Sequence, residues 1–275
     1  MTRVGVDVGG TFTDLVAVRP DGVLEIRKVG TTPQDPSLGL LRALEALGAD
    51  GVDVLVHGTT VATNALLERR GARVVLVTTA GFEDLLWLRR QDRAALYDLA
   101  KAHPEPLVAR RDVIGVSERM GPDGAVAALS ESEVSRVTAL ARTLAPQSVA
   151  IALLFAFRHP EHERRLAAAL RAALPNVPVT ASHEVLPVFR EFERTSTTSA
   201  EAYLRPRVAA YLQRTAALTE RRGVRSLRIM TSSGGTVSPE QAANRAASLA
   251  LSGPAGGVVG ARLVGAAVED RKSVV

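Results

Sequence analysis

The chain has 275 residues, of which 46% are hydrophobic and 23% charged. This length and composition predict a globular protein with a large core and exclude an intrinsically disordered one. The absence of cysteine excludes disulfides, thiolate zinc sites and a cysteine nucleophile. The net charge of +5 comes mostly from arginine. Because the arginines are scattered and aromatic residues are few, compositional bias is favoured over nucleic-acid binding.

Two apolar runs have to be considered as membrane segments. Residues 149–157 are too few to span a bilayer and are typical of a buried strand. Residues 246–268 are long enough, but Pro254, Arg262 and five glycines favour a buried helix of small residues. The amino terminus carries Asp7 where a signal peptide would need apolar residues. The sequence therefore predicts a soluble protein without a membrane partner.

The first fifty residues predict three strands and a helix. Strands over 3–8, 12–18 and 23–29 are separated by tight turns, which predicts an antiparallel meander. Asp35 and Pro36 then have the residue types that cap and begin a helix. We expect its core-facing stripe to consist of Leu38, Leu41, Leu44 and Leu47.

The remainder alternates between strand and helix patterns, which favours a largely parallel sheet with helices on its faces. Strands are predicted at 52–56, 73–77, 112–119, 149–157 and 177–180. Residues 188–222 predict one or two long helices interrupted at Pro206, followed by a strand over 227–231, a helix after Ser238 and the small-residue helix. The change of pattern places a domain boundary between about 184 and 200.

The most informative stretch is the hairpin from Asp7 to Asp14. Its glycines lie between two strands, whereas the Walker and dinucleotide loops need glycines that open a helix. In such a hairpin, backbone N–H groups can converge on phosphate oxygens, and the hydroxyls of Thr11 and Thr13 could join them. Asp7 is suitably placed to hold hydrated Mg²⁺. The alternative is a plain tight turn, but a carboxylate at the end of a buried strand favours a site because it needs a partner.

With the meander, this hairpin resembles the first phosphate motif of the actin, hexokinase and Hsp70 superfamily. Five further motifs narrow the resemblance to the hydantoinase/5-oxoprolinase family, which includes subunits of ATP-dependent acetone and acetophenone carboxylases. These motifs are His57–Ala65, Val77–Asp84, Phe189–Thr198, Ala202–Pro206 and Leu251–Gly257.

The resemblance implies an α/β protein with an actin-like, ribonuclease H-like ATPase fold. Residues 1–184 would form the amino-terminal domain and 185–275 the beginning of a second domain. It also implies a cytoplasmic, Mg²⁺- and ATP-dependent hydrolase that opens a small cyclic amide or imide after phosphorylating its carbonyl oxygen. A ketone carboxylase subunit and a non-catalytic interaction module are the alternatives.

For the site, the resemblance implies that Asp7 holds the metal, while Gly9, Gly10, Thr11 and Thr13 position the phosphates. Asp14 belongs to the same motif, with a less defined role. Relatives continue for several hundred residues to a second phosphate motif. We therefore expect a truncated chain that is inactive alone and that needs a second lobe or a hydantoinase B-type subunit.

Other candidates are weighed against structural explanations. One group of candidates lies at the end of a predicted strand, where α/β sheets bind ligands. It consists of His57 and Asn64 as catalytic groups and Thr59 and Thr60 as substrate contacts. A loop histidine and an ordinary helix cap are the alternatives. The remaining substrate candidates are Arg89, Arg90 and Gln91, which could be a solvated basic loop, and Arg194 with Thr195, which could be a surface ion pair and a helix break.

Overall fold

A computed structural model describes residues 1–32, 35–48 and 51–267 of the chain. It falls into two compact units. Unit 1 combines Met1–Arg70 with Arg207–Val275, and unit 2 is the intervening Gly71–Pro206. The predicted boundary near residue 184 divides the chain differently and stays a prediction.

The first segment of unit 1 contains β1 (Arg3–Val8), β2 (Phe12–Val18), β3 (Leu24–Gly30), α1 (Pro36–Leu47), β4 (Val54–Thr59) and α2 (Val61–Leu67). Unit 2 contains β5 (Val74–Thr79), α3 (Leu85–Leu88), a 3-10 helix (Arg110–Asp112), β6 (Val113–Val116), β7 (Arg119–Gly121), β8 (Gly124–Ala127), α4 (Glu131–Leu144), β9 (Ser148–Ala152), α5 (Glu161–Ala173), β10 (Val179–Ala181), α6 (Ser182–Val185) and the start of α7 (Glu191–Arg221). The end of α7 returns to unit 1, followed by β11 (Leu227–Met230), β12 (Thr236–Val237), α8 (Pro239–Ala243), a 3-10 helix (Ala246–Leu249) and α9 (Ser252–Ala267).

The sheet of unit 1 has the order β12-β11-β4-β1-β2-β3. β1, β2 and β3 form the predicted antiparallel meander, while β4 is parallel to β1 and β11 is parallel to β4. Because side chains alternate along a strand, one face of the meander is apolar and packs against α1. The core on this face contains Val4, Val6, Val8, Leu15 and Ala17 with Leu40, Ala43, Leu44 and Leu47. The opposite face carries Asp7 and Asp14.

Helix α1 begins as predicted but faces the core with a different stripe. Asp35 accepts a hydrogen bond from the Ser37 backbone N–H at 3.1 Å, and Gly48 ends the helix in the left-handed region. The core-facing leucines include Leu40, whereas the predicted Leu38 is 37% exposed. A spacing of three residues drifts by about 60° per step around a helix. The stripe predicted at every third residue was therefore wrong at its first position.

Unit 2 is built on a parallel four-stranded sheet with the order β10-β9-β5-β6. β5 and β9 are buried along their whole length, as expected for central strands of a parallel sheet. Helices α4 and α5 pack on the sheet and on each other. The strand predicted at 112–119 is instead divided between the 3-10 helix, β6 and β7. The predicted mixed α/β architecture with flanking helices is confirmed.

Two predictions about helices need correction. α7 runs without interruption through Pro206, where the sequence indicated a break. The small-residue helix is α9, but most of it is exposed, including Val258, Leu263 and Val264. Gly and Ala allow close packing only where a second surface is present. Near its beginning, α9 is held by the Ser252 hydroxyl bond to the Thr59 carbonyl at 3.2 Å and by the close approach of Gly256 to Met230. Val268, the end of the predicted apolar run, lies outside the described residues.

Among the residues that the structure describes, no helix combines the length and the apolar character needed to cross a membrane.

Candidate functional site

The hairpin between β1 and β2 presents open backbone at its tip. The Gly9 N–H donates to the Phe12 carbonyl at 3.0 Å, and the Thr31 N–H donates to the Thr11 carbonyl at 2.9 Å. A Cβ at Gly9 would lie 3.1 Å from the Phe12 carbonyl oxygen, so this position is tight. At Gly10, apart from the glycine itself and its two chain neighbours, no heavy atom of the described residues lies within 4 Å of the corresponding point. The tip is therefore fixed by its neighbours and open to a ligand at Gly10.

Asp7 and Asp14 form an acidic pair beside this hairpin. They are directly opposite in the β1–β2 register, and Asp7 is also opposite Gly58 of β4. A Cβ at Gly58 would lie 2.9 Å from Asp7 Oδ1, so the glycine leaves room for the carboxylate. Partial burial, and then the neighbouring Asp14, raise the pKa of Asp7 above its usual value. Lys28 Nζ lies 2.8 Å from Asp14 Oδ1 and 5.0 Å from the Phe12 ring centroid.

This acidic pair fits a hydrated magnesium ion. A cation beside Asp7 would relieve the unfavourable charge that raises its pKa. The described residues contain no group of three or more metal-binding side chains. Mg²⁺ does not need one, since it usually keeps several waters and takes its other ligands from one or two carboxylates and a phosphate. Asp7 is the side chain that would hold it.

The two threonines of the motif differ in their exposure. Thr11 is exposed in the turn, whereas Thr13 is fully buried on the α1 face. Thr13 Oγ1 lies 2.9 Å from Thr31 Oγ1, and a Cβ at Gly39 would come within 2.7 Å of it. The Thr13 hydroxyl therefore stabilises the packing of α1, and this geometry does not support the predicted phosphate contact.

His57 is fully buried in β4, with a partner at each ring nitrogen. Nε2 lies 2.7 Å from the Tyr211 hydroxyl, and Nδ1 lies 3.4 Å from the Val6 carbonyl. Since the carbonyl can only accept, Nδ1 carries the proton and the Tyr211 hydroxyl donates to Nε2. Burial lowers the pKa of His57 to about 4. His57 thus joins β4 to α7, and the predicted catalytic role has no support in this arrangement.

We expect the buried neutral His57 to make the protein sensitive to acid. As the pH falls below about 6.5, the unfolded chain binds a proton at His57 that the folded chain does not bind until about pH 4. Between these values the group should remove about 3 kcal/mol of stability, which is present at neutral pH. Urea unfolding of the protein and of His57→Gln at pH 7 and pH 4.5 measures this loss. If the variant loses as much stability on acidification as the parent, the assignment is wrong.

The residues after β4 connect the hairpin to α2. Thr60 donates to the Val8 carbonyl at 3.3 Å and accepts a hydrogen bond from Asn64 Nδ2 at the same distance. Thr59 is buried, and its hydroxyl oxygen accepts a bond from the Val61 N–H at 3.3 Å. The capping bond is therefore made by Thr59 rather than by Thr60, which occupies the N-cap position.

A cavity of about 410 Å³ in unit 1 adjoins the hairpin. It lies against α2 and residues 207–214 of α7, with the β3–α1 connection at its side. The lining residues are Gly9, Gly10, Thr31, Pro36, Thr60, Val61, Asn64, Glu68, Arg70, Arg207, Ala210, Tyr211 and Arg214. The structure thus brings Thr60 and Asn64 together with the glycines of the hairpin, while Thr59 and His57 do not line this cavity.

Arg89, Arg90 and Gln91 belong to unit 2, after the short helix α3. Arg90 Nε donates to Glu193 Oε1 at 2.6 Å, and its guanidinium lies 5.6 Å from the Phe192 ring centroid. Arg89 donates to the Pro104 carbonyl. Arg89 and Gln91 both have positive φ angles, of 54° and 59°, an uncommon conformation for residues other than glycine. Their role as substrate contacts stays a prediction.

Arg194, the third predicted substrate arginine, is fully buried in unit 2. It donates to the Leu153 carbonyl at 2.6 Å, to the Val188 carbonyl at 3.1 Å and to the Ser182 hydroxyl at 3.1 Å. It also pairs with Glu191, one helical turn earlier. Thr195 beside it is 1% exposed. The expected surface ion pair is therefore a buried network, and neither side chain is accessible to a substrate.

Sequence reasoning missed two histidine–glutamate pairs in unit 2, one buried and one partly buried. His162 Nδ1 lies 2.7 Å from Glu118, whose other oxygen accepts a bond from the Thr79 hydroxyl. Glu163 binds His183 Nδ1 at 2.7 Å. The available signal was spacing, because His162 precedes the buried Leu166 and Leu170 at intervals of four residues. The glutamates of these pairs accept hydrogen bonds from polar groups at the carboxyl ends of β5 and β9, the Thr79 hydroxyl and the Leu153 N–H.

The sheet order of unit 1 and its hairpin define a mixed α/β protein with the predicted actin-like fold. Residues 3–174 match the hydantoinase/oxoprolinase N-terminal region, and residues 194–275 match hydantoinase/oxoprolinase. The chain therefore belongs to the hydantoinase/oxoprolinase family.

Relatives with assigned names support this membership. The alpha subunit of caprolactamase from Pseudomonas jessenii is 36% identical over 92% of this chain and 38% of its own length. The 5-oxoprolinase 1 of Arabidopsis thaliana is 32% identical over 94% of this chain and 23% of its own length. The chain thus spans about two fifths or less of the length of these relatives.

Two solved structures share the fold. Nucleotide-free acetone carboxylase superposes with a TM-score of 0.86 at 29% identity, over 97% of this chain and 41% of the other. The ATP-dependent caprolactamase from Pseudomonas jessenii superposes with a TM-score of 0.83 at 36% identity, over 92% and 39%.

Proposed function

We propose that this chain is the phosphate-binding part of an ATP- and Mg²⁺-dependent cyclic-amide hydrolase. The observation that carries the proposal is the β1–β2 hairpin, with open backbone at Gly10 beside the Asp7 carboxylate. Relatives named caprolactamase and 5-oxoprolinase support the substrate class, because both names denote enzymes that act on cyclic amides.

The proposed division of labour follows from the positions of the groups. The backbone N–H groups at Gly10 and Thr11 would bind phosphate oxygens, and Asp7 would hold the metal that neutralises their charge. The γ-phosphoryl group of ATP would move to the amide oxygen and leave ADP. Water would then add to the activated ring carbon, and the C–N bond would break as the ring nitrogen takes up a proton, which leaves an acyl phosphate. A second water would hydrolyse this acyl phosphate to the ring-opened amino acid and inorganic phosphate. The protein mainly supplies positioning and charge neutralisation.

A second polypeptide is part of this proposal. The exposed apolar residues of α9, such as Val258 and Leu263, indicate a surface that another lobe or a hydantoinase B-type subunit could cover. The relatives named as alpha, beta and gamma subunits support such a partner. Cytoplasmic localisation is proposed on the family resemblance alone.

A ketone carboxylase is the second candidate, favoured by the similarity to acetone carboxylase. The same phosphate-binding hairpin would serve both reactions, since each uses ATP. Turnover of caprolactam or 5-oxoproline, compared with turnover of acetone and bicarbonate by the chain combined with a second-lobe polypeptide, separates the two candidates.

A substitution at Gly10 directly tests whether the β1–β2 hairpin binds phosphate. Nothing in the described residues prevents a side chain here, and its φ lies outside the left-handed region. We therefore expect Gly10→Val to leave the free energy of unfolding within about 1 kcal/mol of the parent value. It should weaken Mg-ATP binding by about tenfold or more, because the side chain occupies the space of a phosphate. Calorimetric titration with the chain alone and with the second-lobe polypeptide measures this.

Gly30→Val is the matched control, since Gly30 also has open surroundings but lies outside the cavity. A parent chain that is folded but binds no nucleotide in either titration would contradict the proposed function. If Gly10→Val and the parent bind Mg-ATP with equal affinity, the hairpin does not take part in nucleotide binding.

A further inference from the structure

The far side of the cavity in unit 1 is formed by a single face of α7. Arg207, Ala210, Tyr211 and Arg214 recur at intervals of three and four residues, so they lie on one side of the helix. Tyr211 is fixed in this wall by its hydroxyl bond to His57 at 2.7 Å. Ala210 is small and leaves space between the two arginines. Their Cα atoms are separated by about 10 Å along the helix axis, since each residue rises by 1.5 Å.

The charges of this cavity are not balanced. Its lining contains three arginines and one carboxylate, Glu68, which pairs with Arg70 at 3.2 Å. Arg207 Nη1 donates to the Arg70 carbonyl at 3.1 Å, so a neutral acceptor positions its guanidinium without compensating its charge. In the described part of the chain, no carboxylate oxygen lies within 4 Å of Arg207 or Arg214. Two positive charges are therefore available to a ligand.

We propose that Arg207 and Arg214 form a binding site for the oxyanion of a small molecule, either a carboxylate or a phosphate. A guanidinium presents paired N–H donors that match both groups. The volume of about 410 Å³ falls in the range of small-molecule sites. The site lies on the His57 side of the sheet, whereas Asp7 lies on the Gly58 side, since neighbouring residues of β4 face opposite ways. It is thus distinct from the metal position proposed at Asp7.

This inference goes beyond the proposed function, because it requires neither ATP nor phosphoryl transfer. If the oxyanion is a carboxylate, the site would select a cyclic amide that carries one over an uncharged lactam. If it is a phosphate, the site would bind part of a nucleotide on the second side of the hairpin.

Binding of three probes to the complete chain, without Mg²⁺ or ATP, tests the site. The probes are 5-oxoproline, 2-pyrrolidinone, which is the same ring without the carboxylate, and pyrophosphate. We expect 5-oxoproline or pyrophosphate to bind and 2-pyrrolidinone not to bind. Arg207→Gln and Arg214→Gln should each weaken the affinity for the anion that binds by about tenfold or more, and added salt should also weaken this affinity. Arg221→Gln, on α7 outside the cavity, should bind like the parent.

The outcomes are distinct. Selective binding of 5-oxoproline identifies a substrate carboxylate, and selective binding of pyrophosphate identifies a nucleotide phosphate; both support the site. Three results would overturn it: no anion binds to the folded parent, both glutamine variants bind as tightly as the parent, or 2-pyrrolidinone binds as well as 5-oxoproline. Because Mg²⁺ and ATP are omitted, these results are independent of those that test the hydrolase proposal.

Discussion

Replacing Asp7 by asparagine is expected to weaken Mg-ATP binding by about a hundredfold, because the metal loses its only charged protein ligand in the proposed site. Asparagine keeps the size of the side chain, so the space above Gly58 stays filled. The effect should disappear when binding is measured with ATP and EDTA, because without the metal both proteins bind nucleotide through the backbone alone. Titration calorimetry with and without Mg²⁺ measures both quantities.

The same substitution should not destabilise the fold. The pKa of Asp7 is raised in the folded protein by partial burial and by Asp14. Above its unfolded pKa, the folded state therefore binds more protons than the unfolded state, and stability falls as the pH rises through this range. Removing the charge removes this cost at neutral pH. The melting temperature of Asp7→Asn should thus equal or exceed that of the parent.

Asp14→Asn is the matched control. Asp14 occupies the opposite position in the register, but its Oδ1 already pairs with Lys28 Nζ at 2.8 Å. We expect a smaller loss of Mg-ATP affinity than for Asp7→Asn. If the two variants lose the same affinity, the ion is shared by both carboxylates. If Asp7→Asn binds Mg-ATP like the parent, the assignment of the metal to Asp7 is wrong.

Arg194→Ala is expected to lower the free energy of unfolding by about 3–5 kcal/mol, a large part of the stability of a typical domain. The substitution leaves the Leu153 and Val188 carbonyls and the Ser182 hydroxyl without their donor and leaves Glu191 without its cation. It also opens a cavity in a fully buried position. Urea unfolding, followed by circular dichroism, measures the loss.

The control for this variant is Arg164→Ala, an exposed arginine of α5. It should change stability by no more than about 0.5 kcal/mol. If Arg194→Ala keeps the stability of the parent and instead lowers affinity for a substrate, then Arg194 contacts the ligand as the sequence indicated. The buried network would then not describe the protein in solution.

The local features of the fold could be predicted from the sequence because they depend on neighbouring residues. Strands with alternating burial around Gly9 and Gly10 determine the hairpin, and its register makes Asp7 and Asp14 neighbours. The Asp35 cap similarly follows from residue types within one turn of the helix.

Contacts between distant parts of the chain could not be predicted in this way. His57 and Tyr211 are 154 residues apart, and nothing in their local sequence indicates that they share a hydrogen bond. The sequence also indicated hydroxyl groups at Thr11 and Thr13 without assigning a face to each. Because Thr13 pairs with the buried Val8, strand alternation directs it to the core.

The other source of error was the expectation of which charged and apolar residues are buried. An arginine in a motif suggests a ligand contact, but Arg194 is surrounded by carbonyl groups that only the folded chain assembles. Conversely, α9 has the composition of a buried helix and is exposed. The composition of a helix indicates that it could pack closely against a neighbour, but it does not show whether the folded chain contains that neighbour.

The most direct test is a crystal structure of the chain, with its second-lobe polypeptide if required, bound to Mg²⁺ and a non-hydrolysable ATP analogue. The account predicts phosphate oxygens within hydrogen-bonding distance of the Gly10 and Thr11 backbone N–H groups, and the metal or its waters at Asp7. Phosphates bound elsewhere, with Asp7 distant from the ion, would contradict it.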